Sequence, residues 1–156
     1  GGASAGPSAG AANPTPAGNG AARIDACSAL TVEEIEAQLG VEMKDGVPSG
    51  DNPEISTCTW ESVDPRKGAA VVLTIEPYDP DMFEKWHDLA TAENPEIPLP
   101  GIGDEAFVIG GTVLGGLTVL RKGGTEASLG VIGAFLDRAV VEAARAPLAA
   151  LVASRI

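Results

Sequence analysis

The sequence predicts an α+β domain in which a mostly antiparallel sheet of about five strands carries helices packed on one face. Short runs rich in Val, Ile, Leu and Thr, separated by Gly, Pro and Asp, indicate strands joined by tight turns. Other stretches repeat apolar residues every three or four positions, which is typical of amphipathic helices. Strands and helices do not alternate regularly, and this order favours an antiparallel sheet.

The first 23 residues differ in composition from the rest of the chain. Residues 1–22 contain only Gly, Ala, Ser, Pro, Asn and Thr. Such a segment has too little apolar surface to offset the entropy lost on ordering. We therefore expect residues 1–23 to form a disordered tail and residues 24–156 a single domain. A tail of this kind is typical of the spacer after the acylated cysteine of a bacterial lipoprotein, and a plain flexible terminus or an added linker is the alternative.

The predicted domain begins with a short helix and a hairpin. Thr31 is suited to cap the helix, and Gly40 is suited to end it. After a polar loop over residues 43–54, residues 55–63 alternate as in a half-buried strand. Residues 69–75 are β-branched and apolar, as expected of a central strand. The turn-forming sequence between these two runs predicts that they pair.

The second half of the domain is predicted to contain two helices and three strands. Residues 81–92 carry an apolar stripe that includes Phe83 and Trp86. After a Pro-rich crossing loop, the predicted strands are 105–109, 117–121 and 125–132. Residues 137–156 form the last predicted helix. Because proline has no N–H to donate, Pro147 is expected to kink this helix or to begin a second one.

The charge of the chain excludes several classes of partner. Its net charge is −12, which argues against binding to nucleic acid or to an anionic membrane surface. Residues 25–105 contain 19 acidic and 4 basic residues, a net charge of −15, whereas residues 106–156 have a net charge of +2. The acidic half is suited to attract a basic partner, or it is simply a solvated surface. A membrane contact is expected only through an N-terminal lipid anchor missing from this sequence.

Several short motifs give the chain one family resemblance. They are Cys27-Ser-Ala-Leu-Thr, Cys58-Thr-Trp, Pro100-Gly-Ile-Gly-Asp-Glu-Ala-Phe and Leu117-Thr-Val-Leu-Arg-Lys-Gly. With these motifs the chain, from residue 25 onward, resembles actinobacterial lipoproteins of the domain of unknown function 3558 type. The resemblance implies an exported, lipid-anchored domain with a paired cysteine and no assigned activity. An extracytoplasmic location, in the cell envelope or secreted, follows as an expectation.

The two cysteines are Cys27 and Cys58, and their spacing matches no redox or zinc motif. In an exported chain, two isolated cysteines usually form a disulfide. Two buried thiols are a second interpretation, and a catalytic thiol that meets His87 is a third.

Residues suited to metal binding or catalysis are sparse. His87 is the single histidine, and a position on the surface of a helix explains it more simply than a role as base or ligand. Three acidic groupings have the oxygen chemistry of a calcium site, but none has the spacing of a helix–loop–helix calcium loop. These groupings are Asp45 with Asp51 and Glu54, Asp79 with Asp81 and Glu84, and Asp104 with Glu105. We expect no metal and no other cofactor.

The predicted function is non-catalytic binding of an envelope protein or a small ligand, or support of an envelope complex. The candidate binding residues combine acidic groups with aromatic groups that suit a groove, although the aromatic residues equally suit the core and its rim. These candidates are Trp60, Trp86, Asp45, Asp51, Glu54, Asp79 and Asp81. The alternative function is a small extracytoplasmic hydrolase that uses carboxylates or His87.

Overall fold

A computed structural model describes residues 24–110 and 116–156 of the chain. The predicted tail over residues 1–23 lies outside the described residues. The described part is an α+β structure with one antiparallel sheet of seven strands in the order β1-β2-β3-β7-β6-β5-β4. The strands are β1 Val47–Ser49, β2 Ser56–Glu61, β3 Ala69–Pro77, β4 Glu96–Pro98, β5 Glu105–Ile109, β6 Leu117–Lys122 and β7 Thr125–Gly133. The helices are α1 Ala26–Ala29, α2 Val32–Leu39, α3 Pro80–Asp88 and α4 Arg138–Ala153.

Local chemistry explains where the elements begin and end. At the start of α2, the Thr31 hydroxyl accepts from the Glu34 backbone N–H, and the Glu34 carboxylate accepts from the Thr31 N–H. Gly40 ends the same helix with a left-handed backbone, at φ 71°. Gly123, at φ 59°, and Gly124 join β6 to β7 in a two-residue turn. The sequence prediction of a cap, a stop and a glycine turn is confirmed at these places.

The sheet buries a different cluster on each face. One face, here called the main face, packs against α1, α2 and α4 and includes Trp60, Leu73 and Leu129. Neighbouring strand residues point to opposite faces, so Phe107 and Val119 belong to the other side of the sheet. There they pack with Phe83 of α3. We call this second side the α3 face.

A disulfide ties the first helix to the sheet. Cys27 of α1 and Cys58 of β2 are bonded, and their Cα atoms lie 5.1 Å apart. The predicted pairing is therefore confirmed, and the part of the chain that the structure describes contains no other cysteine. Closing a loop of 31 residues stabilises the domain by about 3–4 kcal/mol through restriction of the unfolded chain.

Two features of the fold differ from the sequence prediction. The sheet has seven strands rather than about five, because β1 and β4 add a short edge strand on each side. Helix α3 packs on the face opposite to the other helices, so the helices are not confined to one face. For Pro147 the prediction left two alternatives, and its position inside the single helix α4 excludes the start of a second helix.

Candidate functional site

A groove lies on the main face where α4 stops covering the sheet. Helix α4 packs over β6 and β7, and the sheet continues beyond it into β5 and β4. The groove has a volume of about 340 Å³, which is at the lower end of the range for small-ligand sites. Its described lining combines an apolar floor from the sheet with a polar wall from α4. The lining residues are Glu93, Asn94, Pro95, Ile97, Leu99, Val108, Gly110, Arg138, Glu142, Arg145 and Ala146.

Arg145 is the unusual residue of this groove. It is only 8 % exposed, and its Nε is buried without a hydrogen-bond partner. Nor does its guanidinium make an ion pair with any residue in the described ranges. A guanidinium has only donors and remains charged, so a buried and unpaired one destabilises the free protein.

The neighbouring charges on α4 do not neutralise Arg145. Glu142 also lines the groove, but its carboxylate accepts from Arg138 Nε at 2.7 Å. Burial lowers the pKa of Arg145 below its usual value, and nearby Arg138 adds to this lowering whereas the charge of Glu142 opposes it. The positive charge of Arg145 therefore has no direct counterion among the residues described.

The backbone immediately before β6 lies close to this guanidinium. A Cβ on Gly116 would lie 3.1 Å from Arg145 Nη2. Gly116 also has φ 83°, a conformation that side-chain-bearing residues rarely adopt. The backbone geometry therefore favours glycine here, and glycine also leaves space for the guanidinium.

A second unpaired polar atom lies on the same face of β6. The Thr118 hydroxyl is fully buried and has no hydrogen-bond partner. Thr118 pairs with Val108 of β5, which contributes to the floor of the groove. Paired residues on neighbouring strands share a face, so Thr118 points to the groove side of the sheet. Arg145 Nε and Thr118 Oγ1 are the buried side-chain polar atoms left unsatisfied in the described structure.

On the α3 face, a second cluster of charged residues has the opposite character. His87 of α3 lies between Glu96 of β4 and Glu105 of β5, and its Nε2 is 2.9 Å from Glu105 Oε2. The imidazole stacks on Phe107, with ring centroids 4.2 Å apart. Glu105 also accepts from Arg121 Nε at 3.4 Å. We call His87, Glu96, Glu105 and Arg121 the histidine clasp, because they hold α3 against the sheet.

The clasp favours the protonated form of its histidine. Each ring nitrogen lies within hydrogen-bond distance of a carboxylate oxygen, which accepts, and this arrangement favours an imidazolium that donates from both nitrogens. Burial lowers the pKa of His87, but the hydrogen bonds and charges of Glu96 and Glu105 outweigh it and hold the pKa above its usual value. Neither nitrogen is then ready to act as a base. His87 is half-buried in this cluster, whereas the sequence predicts a helix-surface histidine.

The structure separates the two tryptophans that the sequence groups together. Trp60 is 1 % exposed in the main-face core, beside the disulfide and Gly46, where a Cβ would clash with its indole. Trp86 lies on α3, at the other face, and its Nε1 donates to Glu126 Oε2 at 3.4 Å. They therefore cannot line one groove.

The acidic candidates also fall into two groups. Asp45, Asp51 and Glu54 are exposed around the edge strand β1, and Asp45 borders a shallow depression with Val47 and Thr59. Asp79 caps α3 by accepting from the Asp81 backbone N–H at 3.0 Å. These acidic residues line neither the groove nor the histidine clasp, and their role in attracting a basic partner stays a prediction.

Comparison with known proteins gives no match to a family model, to a curated protein or to a solved structure. The resemblance to the actinobacterial lipoproteins therefore stays a prediction. No group of three or more His, Cys, Asp or Glu side chains in the described ranges is placed to hold a metal ion. Across those ranges, no helix is long and apolar enough to span a bilayer.

Sequence reasoning missed Arg145 although a signal for it exists. The predicted inward stripe of the last helix includes Val141, Ala144 and Leu148. Arg145 is four residues after Val141 and three before Leu148, so it falls on that stripe. A lone arginine within an apolar helix face therefore marks a site that hydrophobic periodicity alone does not explain.

Proposed function

We propose that this chain is a non-catalytic extracytoplasmic domain that binds a small ligand in the groove beside Arg145. The observation that carries this proposal is the buried Nε of Arg145, which has no hydrogen-bond partner, on a side chain that lines a groove. Native structures pair nearly all of their buried polar groups, and an exception calls for an explanation. A ligand that supplies the missing partner gives that explanation.

The disulfide supports the extracytoplasmic part of the proposal. Structural disulfides form and persist in oxidising compartments and are rare in reducing ones. The bond between Cys27 and Cys58 joins two well-packed elements, α1 and β2. Lipid anchoring and the role of the acidic surface in recruiting an envelope partner are further parts of the proposed function, and both rest on the sequence alone.

The hydrolase alternative has less support from the geometry. The cluster that brings a histidine to two carboxylates engages both imidazole nitrogens in contacts within the fold. It also packs against Phe83 and Phe107 underneath α3. This arrangement suits the attachment of a helix better than proton transfer to a substrate.

A matched pair of helix substitutions tests the proposed site. Ala146 of α4 lines the groove, whereas Ala143 of the same helix is exposed. Small ligands from a chemically mixed library are detected by backbone amide shifts in isotope-labelled protein. We expect shifts in residues 93–99 and 138–146, lost in Ala146→Trp because the indole fills the groove and kept in Ala143→Trp. Shifts confined to other surfaces, or equal losses in both variants, would contradict the proposal.

A further inference from the structure

We infer that the ligand of this groove is a small amphiphile with a single anionic head group, either a carboxylate or a phosphate, and a short hydrocarbon body. This inference rests on the proposed function, because it names the ligand class of the same groove. It follows from two observations. Arg145 Nε, beside the groove, has no acceptor, and the floor of the groove is apolar.

The unpaired donor Arg145 Nε determines which chemical group the head of the ligand carries. Arg145 Nε donates only, so its missing partner must be an acceptor. An oxyanion supplies the acceptor and the compensating charge together, and charge-assisted hydrogen bonds to a guanidinium are stronger than neutral ones.

One anionic group is expected because a single cation of the groove lacks a counterion. Arg138 is already paired with Glu142 at 2.7 Å. Glu93 adds a negative charge at the exposed end of the lining, where a second anionic group would be repelled. A ligand with two separate anionic groups therefore fits less well than a ligand with a single anionic head group.

The apolar floor of the groove determines that the body of the ligand is a hydrocarbon. Ile97, Leu99 and Val108 form the apolar floor of the groove beside α4. Ile97 is 47 % exposed on this floor. A hydrocarbon chain over this floor removes apolar surface from water at about 25 cal/mol per Å². The volume of about 340 Å³ limits the body to a short chain or a single ring.

The test uses octanoate and octyl phosphate as the anionic ligands, with octanol as their uncharged match. We expect both anions to shift the amides of residues 93–99 and 138–146 and to bind at least about tenfold more tightly than octanol. The relative affinities of octanoate and octyl phosphate show whether the groove prefers a carboxylate or a phosphate head group. Acetate, which lacks the hydrocarbon body, should bind much more weakly than octanoate.

Substitution of the arginine tests which residue selects the anion. In Arg145→Met the preference for octanoate over octanol should disappear, whereas Arg145→Lys should retain part of it. Arg66→Met is the control, since Arg66 forms an exposed ion pair with Asp64 outside the groove, and it should keep the preference. If Arg145→Met fails to fold, the comparison of Arg145→Lys with Arg66→Met still decides.

The outcomes separate this inference from the proposed function. If octanol binds in the groove as tightly as octanoate, the ligand class is wrong and the binding site stands. If none of these ligands shifts the groove residues, the ligand class fails, and the library experiment decides the proposed function independently. A preference for octanoate that survives in Arg145→Met would also overturn the assignment.

Discussion

The two faces of the sheet differ in whether a buried positive charge has a carboxylate partner. On the α3 face, His87 and Arg121 contact carboxylates of two strands, and the charges are matched within the fold. On the main face, Arg145 lies in a similarly protected position with no carboxylate bonded to it. Strand β4 is shared by both regions, because Glu96 points to the clasp and Ile97 to the groove.

The difference indicates which cluster serves the fold and which serves a ligand. A matched network stabilises the structure, and removal of one partner leaves a buried charge behind. A buried charge without a partner lowers the stability of the fold, and local destabilisation of this kind is typical of functional sites. Removing charge should therefore have opposite effects on stability in the two regions.

The largest effect is expected from breaking the histidine clasp. Glu105 accepts from both His87 and Arg121, and a glutamine there keeps the size but loses the charge. We expect Glu105→Gln to lower the free energy of unfolding by about 1–2 kcal/mol, since these groups are only partly buried. Urea unfolding measures this value. Glu93→Gln, at an exposed carboxylate, is the control and should change it by less than about 0.5 kcal/mol.

A change of opposite sign is expected at Arg145. Methionine keeps an unbranched apolar stem and removes the unpaired charge. We expect Arg145→Met to raise the free energy of unfolding by about 1 kcal/mol, and the melting temperature by about 4 °C, in the absence of ligand. Arg138→Met, which breaks an exposed pair, should change stability little. A destabilised Arg145→Met would mean that the guanidinium has a partner.

The pH dependence of stability sharpens the comparison further. The pKa of His87 is higher in the folded protein than its unfolded value of about 6.5. The clasp therefore contributes fully to the free energy of unfolding when the pH is below this unfolded pKa. Its contribution is lost as the pH rises through the pKa of the folded protein. We expect a loss of less than about 1 kcal/mol between about pH 6 and about pH 9. His87→Gln should abolish it, and identical pH profiles of the two proteins would refute the role of the clasp.

Much of the fold could be predicted from the sequence because its signals are local. Caps such as Thr31, the Gly123-Gly124 turn and the alternation of β2 each act within a few residues. The edge strands β1 and β4 have three residues each and contain proline, so they carry no alternating pattern. They form only because β2 and β5 offer unpaired backbone groups.

The candidate site depended on tertiary contacts and could be predicted only in part. The pairing of Cys27 with Cys58 follows from their isolation, but the contacts of the clasp join residues 9, 18 and 16 positions apart across four elements. The groove exists because α4 covers β6 and β7 but not β4. No local pattern specifies where a helix stops covering a sheet, so the sequence alone could not show that Arg145 borders an opening.

The most direct test of the unpaired charge compares two arginine side chains in one NMR spectrum. Arg121 Nε donates to Glu105 at 3.4 Å, whereas Arg145 Nε has no acceptor. On titration with octanoate, we predict that the Nε–Hε signal of Arg145 shifts with a saturating curve and that the signal of Arg121 stays in place. An unchanged Arg145 signal, while the amides of residues 93–99 and 138–146 shift, would contradict the account.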